Sequence, residues 1–165
     1  MLVCPTCKNP LLKCAFDVLE HIDDDEAVLK NVHGALKPGG TLFITVPADM
    51  RLWSAMDIYA EHKRRYSMQE LREKIGRNGF KVIKMSYFVK LLYPFILLSR
   101  KLSLGTNSIN DEDMKKQFKK EVMSELQPHV IINSLFFLIF SLEVPLNSFT
   151  LPFGSILLCV TVKES

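Results

Sequence analysis

The pattern of hydrophobic and polar positions in residues 16–47 predicts a strand–helix–strand unit around which the rest of the chain is arranged. Residues 11–19 are mostly apolar, which predicts a first strand, and an acidic segment follows them. The next apolar positions recur at helical spacing: Val28, Leu29, Val32 and Leu36. Residues 41–46 (TLFITV) lack polar alternation, as expected for a parallel strand covered on both faces.

Local signals mark both ends of the predicted helix. Asp23 or Asp24 can cap its N-terminus, with Glu26 completing a capping box. Lys37 is expected in the last turn, and residues 38–40 (PGG) end the helix because proline lacks an amide donor and glycine tolerates positive φ. A unit of this length is expected to form a right-handed βαβ crossover.

Two further strands and a second amphipathic helix are predicted downstream. Residues 67–70 (SMQE) form a capping box that opens a helix, and Gly79 is expected as its C-terminal cap. Residues 80–86 alternate, which favours an edge strand, and residues 155–162 (SILLCVTV) predict the last strand.

The most apolar run of the chain, residues 130–142, predicts a buried or half-buried helix. It is short for a membrane span and is interrupted by polar side chains. Two functional alternatives stay open for it, a hydrophobic cap over an apolar substrate and a peripheral membrane contact. A polar helix is also expected around residues 114–126.

Composition narrows the class of protein. The 165 residues, 48% hydrophobic and 24% charged, are typical of one globular domain, and a net charge of +3 does not indicate nucleic acid binding. Cys14 and Cys159 lie in apolar runs and are expected to act as small hydrophobic side chains. No signal peptide is visible, so we expect a reducing, cytoplasmic location.

The N-terminal segment, residues 1–10, contains the pair Cys4 and Cys7 in a Cys-x-x-Cys spacing. Such a pair is half of a tetrahedral zinc site, but no second close pair of cysteine or histidine follows. We therefore expect free thiols and no metal.

Polar side chains follow the first predicted strand, namely Asp17, Glu20 and His21. At the carboxyl end of a parallel strand such groups face the crevice where α/β proteins bind ligands, and His21 is a candidate proton acceptor. Turn and helix-cap chemistry explains the same residues equally well.

A loop after the second predicted strand carries Trp53 and the run His62, Lys63, Arg64, Arg65, Tyr66. Because it also leaves a strand's carboxyl end, these side chains are candidates to stack on a ring or to bind a carboxylate or phosphate. The alternative is a solvated basic loop.

Taken together, these motifs resemble the second half of the class I S-adenosylmethionine-dependent methyltransferases. The resemblance is carried by DVLEH (residues 17–21), LKPGG (36–40) before TLFITVP, HKRRY (62–66), the S-x-x-E helix, NGF (78–80) and the closing LPFGS. It runs from about residue 11 to residue 163 and is closest to a subgroup that methylates small molecules.

The resemblance implies an α/β fold with part of a Rossmann-like sheet, containing the family's strands four, five, seven and six in that order. The seventh is antiparallel between the fifth and sixth, and helices flank the sheet. It implies that residues 11–165 form the C-terminal half of a methyltransferase domain, with an apolar helical insertion at about 88–146.

The resemblance also implies roles for individual residues. The cofactor would contact Phe16, Asp17, Glu20 and His21; the substrate would contact Trp53, Arg64, Arg65 and Tyr66; His21 and His62 are the candidate bases.

The chain departs from the family in one large respect. It has no glycine before Gly34, so the family's glycine-rich cofactor loop is missing. We therefore expect a truncated methyltransferase with a small-molecule or lipid-like acceptor and with weak or no binding of S-adenosylmethionine. The competing expectations are a non-catalytic remnant that pairs with a partner or with itself at an open sheet edge, and a peripheral membrane protein.

Overall fold

A computed structural model describes residues 11–103, 130–146 and 151–164. In that part of the chain four strands are present: β1 (Leu12–Phe16), β2 (Thr41–Pro47), β3 (Phe80–Phe88) and β4 (Ile156–Lys163). The helices are α1 (Asp25–Ala35), α2 (Ala55–Tyr59), α3 (Met68–Arg77), α4 (Tyr93–Ser103) and α5 (Val130–Leu146). Two 3-10 turns, Leu19–His21 and Met50–Leu52, follow β1 and β2.

The four strands form one mixed sheet in the order β1-β2-β4-β3. β1 pairs with β2 in parallel, with Leu12 opposite Thr41 and Phe16 opposite Thr45. β4 is antiparallel to both of its neighbours, β2 and β3. This arrangement confirms the predicted α/β fold and the position of the last strand between the second and third.

β1 is shorter and more exposed than its sequence predicts. The strand ends at Phe16, and the residues from Leu19 onward form a 3-10 turn instead of a buried strand end. Phe16 and Cys14 are exposed because β1 lies at the edge of the described sheet. The expectation that Cys14 packs as a small hydrophobic side chain is therefore wrong. It holds for Cys159, where burial raises the pKa of the thiol to about 12.

Helix α1 begins one residue later than a capping box would require. Asp24 is the N-cap, and its Oδ1 accepts a hydrogen bond of 2.9 Å from the amide of Ala27. Glu26 therefore stands one residue too early to complete the box, and it pairs with Arg77 of α3 at 3.1 Å. The helix ends at Ala35, so Lys37 lies beyond its last turn.

Helix α3 begins and ends where its sequence predicts, but only the Ser67 half of the capping box forms, since the Glu70 side chain pairs with Lys74 at 3.3 Å. Ser67 accepts a hydrogen bond of 3.1 Å from the amide of Glu70, and Gly79 follows the C-cap with a φ of 78°. The core lies where α1 and α3 pack on the sheet, and its fully buried members include Leu29, Ile44, Leu71, Ile75 and Leu157.

Helix α5 confirms the predicted helix at residues 130–142 and extends it to Leu146. Its described side chains are mostly exposed, with Phe137 74% exposed, so the expectation of burial is wrong for them. One anchor is Glu143, whose Oε1 accepts a hydrogen bond of 2.9 Å from the amide of Lys90. Across the described ranges, none of the helices combines the length and apolar character that crossing a membrane requires.

Two expectations concern residues outside the described ranges. The Cys4 and Cys7 pair and the polar helix expected at residues 114–126 both lie there.

Candidate functional site

A crevice opens at the carboxyl ends of β1 and β2, where the chain leaves the sheet. Its volume is about 420 Å³, and α4 contributes Ile96 and Arg100 to its lining. Its lining includes Asp17, Glu20, His62 and Arg65, together with Ser54, Met56, Ile96, Arg100 and Ser155. The predicted location of polar side chains at the ends of these two strands is thus the location of a cavity.

Glu20 is the most unusual side chain in the crevice. It lies in the 3-10 turn after β1, is 0% exposed, and neither carboxylate oxygen has a hydrogen-bond partner. Burial raises the pKa of Glu20 above its ordinary value, because desolvation disfavours the charged form. A buried carboxylate without partners is costly and is therefore a feature that a binding site would explain.

Two histidines stand beside Glu20. Its Oε1 lies 3.9 Å from Nε2 of His21 and 4.0 Å from Nε2 of His62. The two imidazole rings meet edge to face, with their centroids 4.8 Å apart. The amide of Lys63 donates a hydrogen bond of 2.7 Å to the carbonyl of Glu20, which ties the loop of His62 to the turn of Glu20.

Asp57 orients this loop, and sequence reasoning missed it. It is buried in α2; its Oδ1 lies 3.0 Å from Nδ1 of His62, and it accepts hydrogen bonds of 2.8 Å and 3.0 Å from the guanidinium of Arg65. Burial alone would raise the pKa of Asp57, but the hydrogen bonds from Arg65 and His62 bring it below its ordinary value. Asp57 also completes a capping box with Ser54.

The remaining residues predicted to contact the cofactor divide into two groups. Asp17 lines the crevice and adopts a φ of 50°, with its amide and carboxylate bound to Thr45 of β2. Phe16 is more than half exposed at the sheet edge and does not line the crevice.

Among the residues predicted to contact the substrate, only Arg65 lines the crevice. Tyr66 is fully buried and donates a hydrogen bond of 2.7 Å to Asp25, which also pairs with Lys74 at 2.6 Å. Arg64 reaches the same carboxylate at 3.3 Å. These contacts fasten the loop to α1 and α3. Trp53, half buried after the second 3-10 turn, lies outside the lining.

A second polar group, also missed, joins the 3-10 turn after β2 to the start of α4. Asp49 has a φ of 62° and pairs with Arg51 at 2.8 Å, while Arg51 donates a hydrogen bond of 2.9 Å to the hydroxyl of Tyr93. Burial alone would raise the pKa of Asp49, but the hydrogen bonds from Arg51 and Tyr93 lower it to about 2. On the same helix, Arg100 reaches the crevice with a buried Nε that has no hydrogen-bond partner. No short motif in the sequence marks either feature.

Three solved structures give the context of this geometry. The [4+2]-cyclase SpnF is 11% identical to this chain with a TM-score of 0.51, and the matched region covers 98% of this chain and 53% of the SpnF chain. A complex between the Haloferax volcanii Trm112 methyltransferase activator and a protein assigned as a methyltransferase is 16% identical, with a TM-score of 0.50, covering 96% and 55%. A SAM-dependent methyltransferase from Archaeoglobus fulgidus is 14% identical, with a TM-score of 0.50, covering 94% and 60%.

At these identities the likeness establishes the fold, and this chain spans about half the length of the structures it matches. No curated protein matches the sequence. Residues 14–85 match the family described as "Methyltransferase domain", a segment that runs from β1 to β3 and contains Glu20, His62 and Arg65. The sheet order agrees with this match, and residues 14–85 are therefore similar to a methyltransferase domain in both sequence and fold.

Proposed function

We propose that this chain forms the methionine side and the acceptor side of a site for S-adenosylmethionine-dependent methyl transfer. The observation that carries the proposal is the crevice at the carboxyl ends of β1 and β2, where Glu20, His62 and Arg65 converge. In open α/β sheets ligands bind at this edge.

The residues fit the methionine end of the cofactor through charge. Glu20 offers a buried carboxylate with no hydrogen-bond partner, and Asp17 offers a second carboxylate in the same lining. A sulfonium or ammonium group in the crevice would give these carboxylates a counter-charge. When bound, S-adenosylmethionine supplies an electrophilic methyl group on its sulfonium sulfur.

His62 is the better candidate for the residue that receives the acceptor's proton. Its Nδ1 faces Asp57, so a proton held there leaves Nε2 as the acceptor, and His62 lines the crevice. His21 is the alternative, although it is more exposed and outside the lining. A base is required only for an acceptor such as a hydroxyl; otherwise proximity is the main contribution to the rate.

The surroundings of the crevice support a small-molecule or lipid-like acceptor. Arg100 brings a guanidinium with an unpartnered, buried Nε, which suits a polar or anionic head group. An apolar groove of about 460 Å³ runs along another face of α4, and its lining includes Pro94, Leu97, Leu98 and Phe153. An acyl or isoprenoid tail would be compatible with this groove.

We expect the chain as given to bind the cofactor weakly. The sequence has no glycine before Gly34, so no glycine-rich loop precedes α1 to approach the nucleoside end. Each hydrogen bond to a charged group that is lost costs about 1.5–3 kcal/mol, and three such losses reduce affinity by several orders of magnitude.

Two measurements with S-adenosylhomocysteine test the proposal. Calorimetry should detect no micromolar binding, and a micromolar dissociation constant would refute the expected weakness. At millimolar ligand, amide resonances of residues 17–21 should shift more than those of α1, and the Glu20→Gln variant should reduce these shifts. Saturating ligand that leaves residues 17–21 unperturbed would argue against the crevice as the cofactor site.

The alternative is a non-catalytic protein that works through a partner or by forming a dimer. The observation that favours it is the open side of β1, with which no described residue pairs. A protein of this kind would need neither cofactor nor acceptor in the crevice.

Peripheral membrane contact is a further alternative, favoured by exposed apolar side chains on two helices. On α4 these are Phe95 and Leu98, and on α5 they are Phe137, Leu138, Phe140 and Leu142. Sedimentation with anionic liposomes tests it. Co-sedimentation that is lost in Phe137→Ser and retained in the matched variant Ile83→Ser, on β3, would support membrane contact through α5.

A further inference from the structure

We propose that Glu20, His21 and His62 form a binding site for a first-row divalent metal ion. This inference comes from the positions of these side chains, because the sequence predicts no metal and the similarity to a methyltransferase domain does not require one. It uses side chains that the proposed methyl transfer also uses, but binding of the ion in the absence of S-adenosylmethionine tests it separately.

The donor atoms already surround a common point. Nε2 of His21 and Nε2 of His62 lie 3.9 Å and 4.0 Å from Oε1 of Glu20, and one donor atom from each residue lies within 4.8 Å of the others. Metal–ligand bonds of about 2.0–2.2 Å place the ligands of a tetrahedral zinc ion roughly 3.4 Å apart. The separations therefore exceed that value by up to about 1.4 Å, and His21, at 40% side-chain exposure, has room to move toward the other two ligands.

The second observation is independent of this spacing. Glu20 is fully buried, both of its oxygens lack a hydrogen-bond partner, and its Oε1 lies within 4.0 Å of an Nε2 atom of each imidazole. Hydrogen-bonded partners normally satisfy a buried carboxylate. A cation between Glu20 and the imidazoles would satisfy the carboxylate directly and would leave both histidines neutral.

The surroundings of His62 match those of a metal ligand. Its Nδ1 lies 3.0 Å from Asp57, and a carboxylate on the far nitrogen fixes the tautomer that leaves Nε2 free for a metal. Asp57 is itself held by Arg65, which neutralises its charge. Glu20 and His62 also line the crevice, so coordination positions would remain open toward it.

The donor set indicates the class of ion. Two imidazoles and one carboxylate suit zinc, cobalt, iron or manganese in the divalent state, while magnesium and calcium prefer oxygen ligands alone. An ion here with open positions could bind an acceptor oxygen and lower the pKa of that acceptor's hydroxyl. In that case the histidines would act as ligands and not as bases.

The test is a titration of the chelator-treated full chain with Co²⁺, followed by visible absorption. Because Cys4 and Cys7 could bind cobalt themselves, the titration is repeated in the variant carrying Cys4→Ser and Cys7→Ser. We expect that variant to keep one bound Co²⁺, visible as d–d bands without thiolate charge-transfer bands. Loss of all d–d absorption in the cysteine variant would overturn the proposal.

Substitutions in the same cysteine variant locate the site. Glu20→Gln and His62→Asn should each weaken cobalt binding by at least about 10-fold, while His33→Asn, at the last turn of α1, should leave it unchanged. Circular dichroism of each variant checks that it is folded. Folded Glu20→Gln and His62→Asn variants that bind Co²⁺ as tightly as their parent would refute the site, as would an equal loss in His33→Asn.

Discussion

At the scale of single residues, Glu20 is a buried carboxyl group whose oxygens have no hydrogen-bond partner. Its pKa is raised by burial, so in the absence of a bound cation its contribution to folding is favourable only below the pKa of the unfolded chain, about 4.3. As the pH rises through the folded-state pKa, that contribution is lost. The cost of this carboxylate is therefore largest at neutral and higher pH.

Glu20→Gln should consequently stabilise the metal-free protein at pH 7 more than at pH 4. The amide keeps the shape of the side chain and removes the buried charge. Urea unfolding of both proteins in chelator at the two pH values measures the change in the free energy of unfolding. A difference between variant and parent that is the same at pH 4 and pH 7 would show that folding does not raise the pKa of Glu20.

Asp57 has the opposite role, because its charge is paired. Asp57→Asn should destabilise the protein by about 3 kcal/mol at pH 7, since it leaves the partly buried Arg65 without a counter-charge. Its lowered pKa means that this stabilisation is present above about pH 3.9 and is lost as the pH falls through the folded-state value.

Urea unfolding from pH 7 down to pH 3 checks this prediction, and Asp24→Asn is the matched control. Asp24 caps α1, where asparagine serves as well as aspartate, so its replacement should change stability by no more than about 0.5 kcal/mol. If both replacements had equally small effects at pH 7, the Asp57–Arg65 pair would have no stabilising role.

The sequence predicts some of these residues and not others, for a physical reason. Glu20 lies in the short turn after β1, so its location at the crevice depends mainly on where that strand ends, and His21 is the next residue. Asp57 follows Ser54 at capping-box spacing, and that local pattern explains it fully without reference to His62. Its contacts depend on how the loop folds back, and the same fold-back buries Tyr66 against Asp25.

At the scale of elements, the end of α3 depends on a glycine. Gly79 has a φ of 78°, and a Cβ added there would lie 2.8 Å from Nε2 of His33. Gly79→Ala should therefore destabilise the protein by about 1–2 kcal/mol. Gly76, inside the same helix, has nothing within 4 Å of an added Cβ, and Gly76→Ala should stabilise by about 0.5–1 kcal/mol.

Thermal unfolding of the two variants checks this pair of predictions. They make the same chemical change three residues apart, so an effect of the added methyl group alone would act equally in both. A Gly79→Ala protein that melts at or above the temperature of its parent would mean that the backbone turn is not strained by a side chain.

Elements with their own end signals were predictable, while those that depend on their surroundings were not. Ser67 and Gly79 mark α3, and both act as predicted because capping is local. For α5, hydrophobicity predicts a helix and burial together, but burial requires another surface to cover it. The described neighbours cover Glu143 and leave Phe137 exposed.

At the scale of the whole molecule, the apolar surface is unevenly distributed over the described sheet. Among the described strands, β4 pairs with β2 on one edge and with β3 on the other, whereas β1 pairs with β2 on one edge only. On and beside this free strand Leu11, Leu12 and Phe16 are each more than half exposed. An open edge with apolar side chains favours pairing with another strand.

We therefore expect the protein to self-associate through β1 at micromolar concentration. Replacing Leu12 or Phe16 by lysine should shift the species seen by size-exclusion chromatography with light scattering toward monomer, because a charge at an edge opposes strand pairing. Ile83→Lys is the matched control, because Ile83 lies on β3, the opposite edge strand, at a register shift. The side chain of Ile83 is 61% exposed, compared with 55% for Leu12 and Phe16. A monomeric parent protein would exclude self-association. If Ile83→Lys shifted the protein toward monomer as much as the β1 variants do, self-association would result from exposed apolar surface in general and not from the edge of β1.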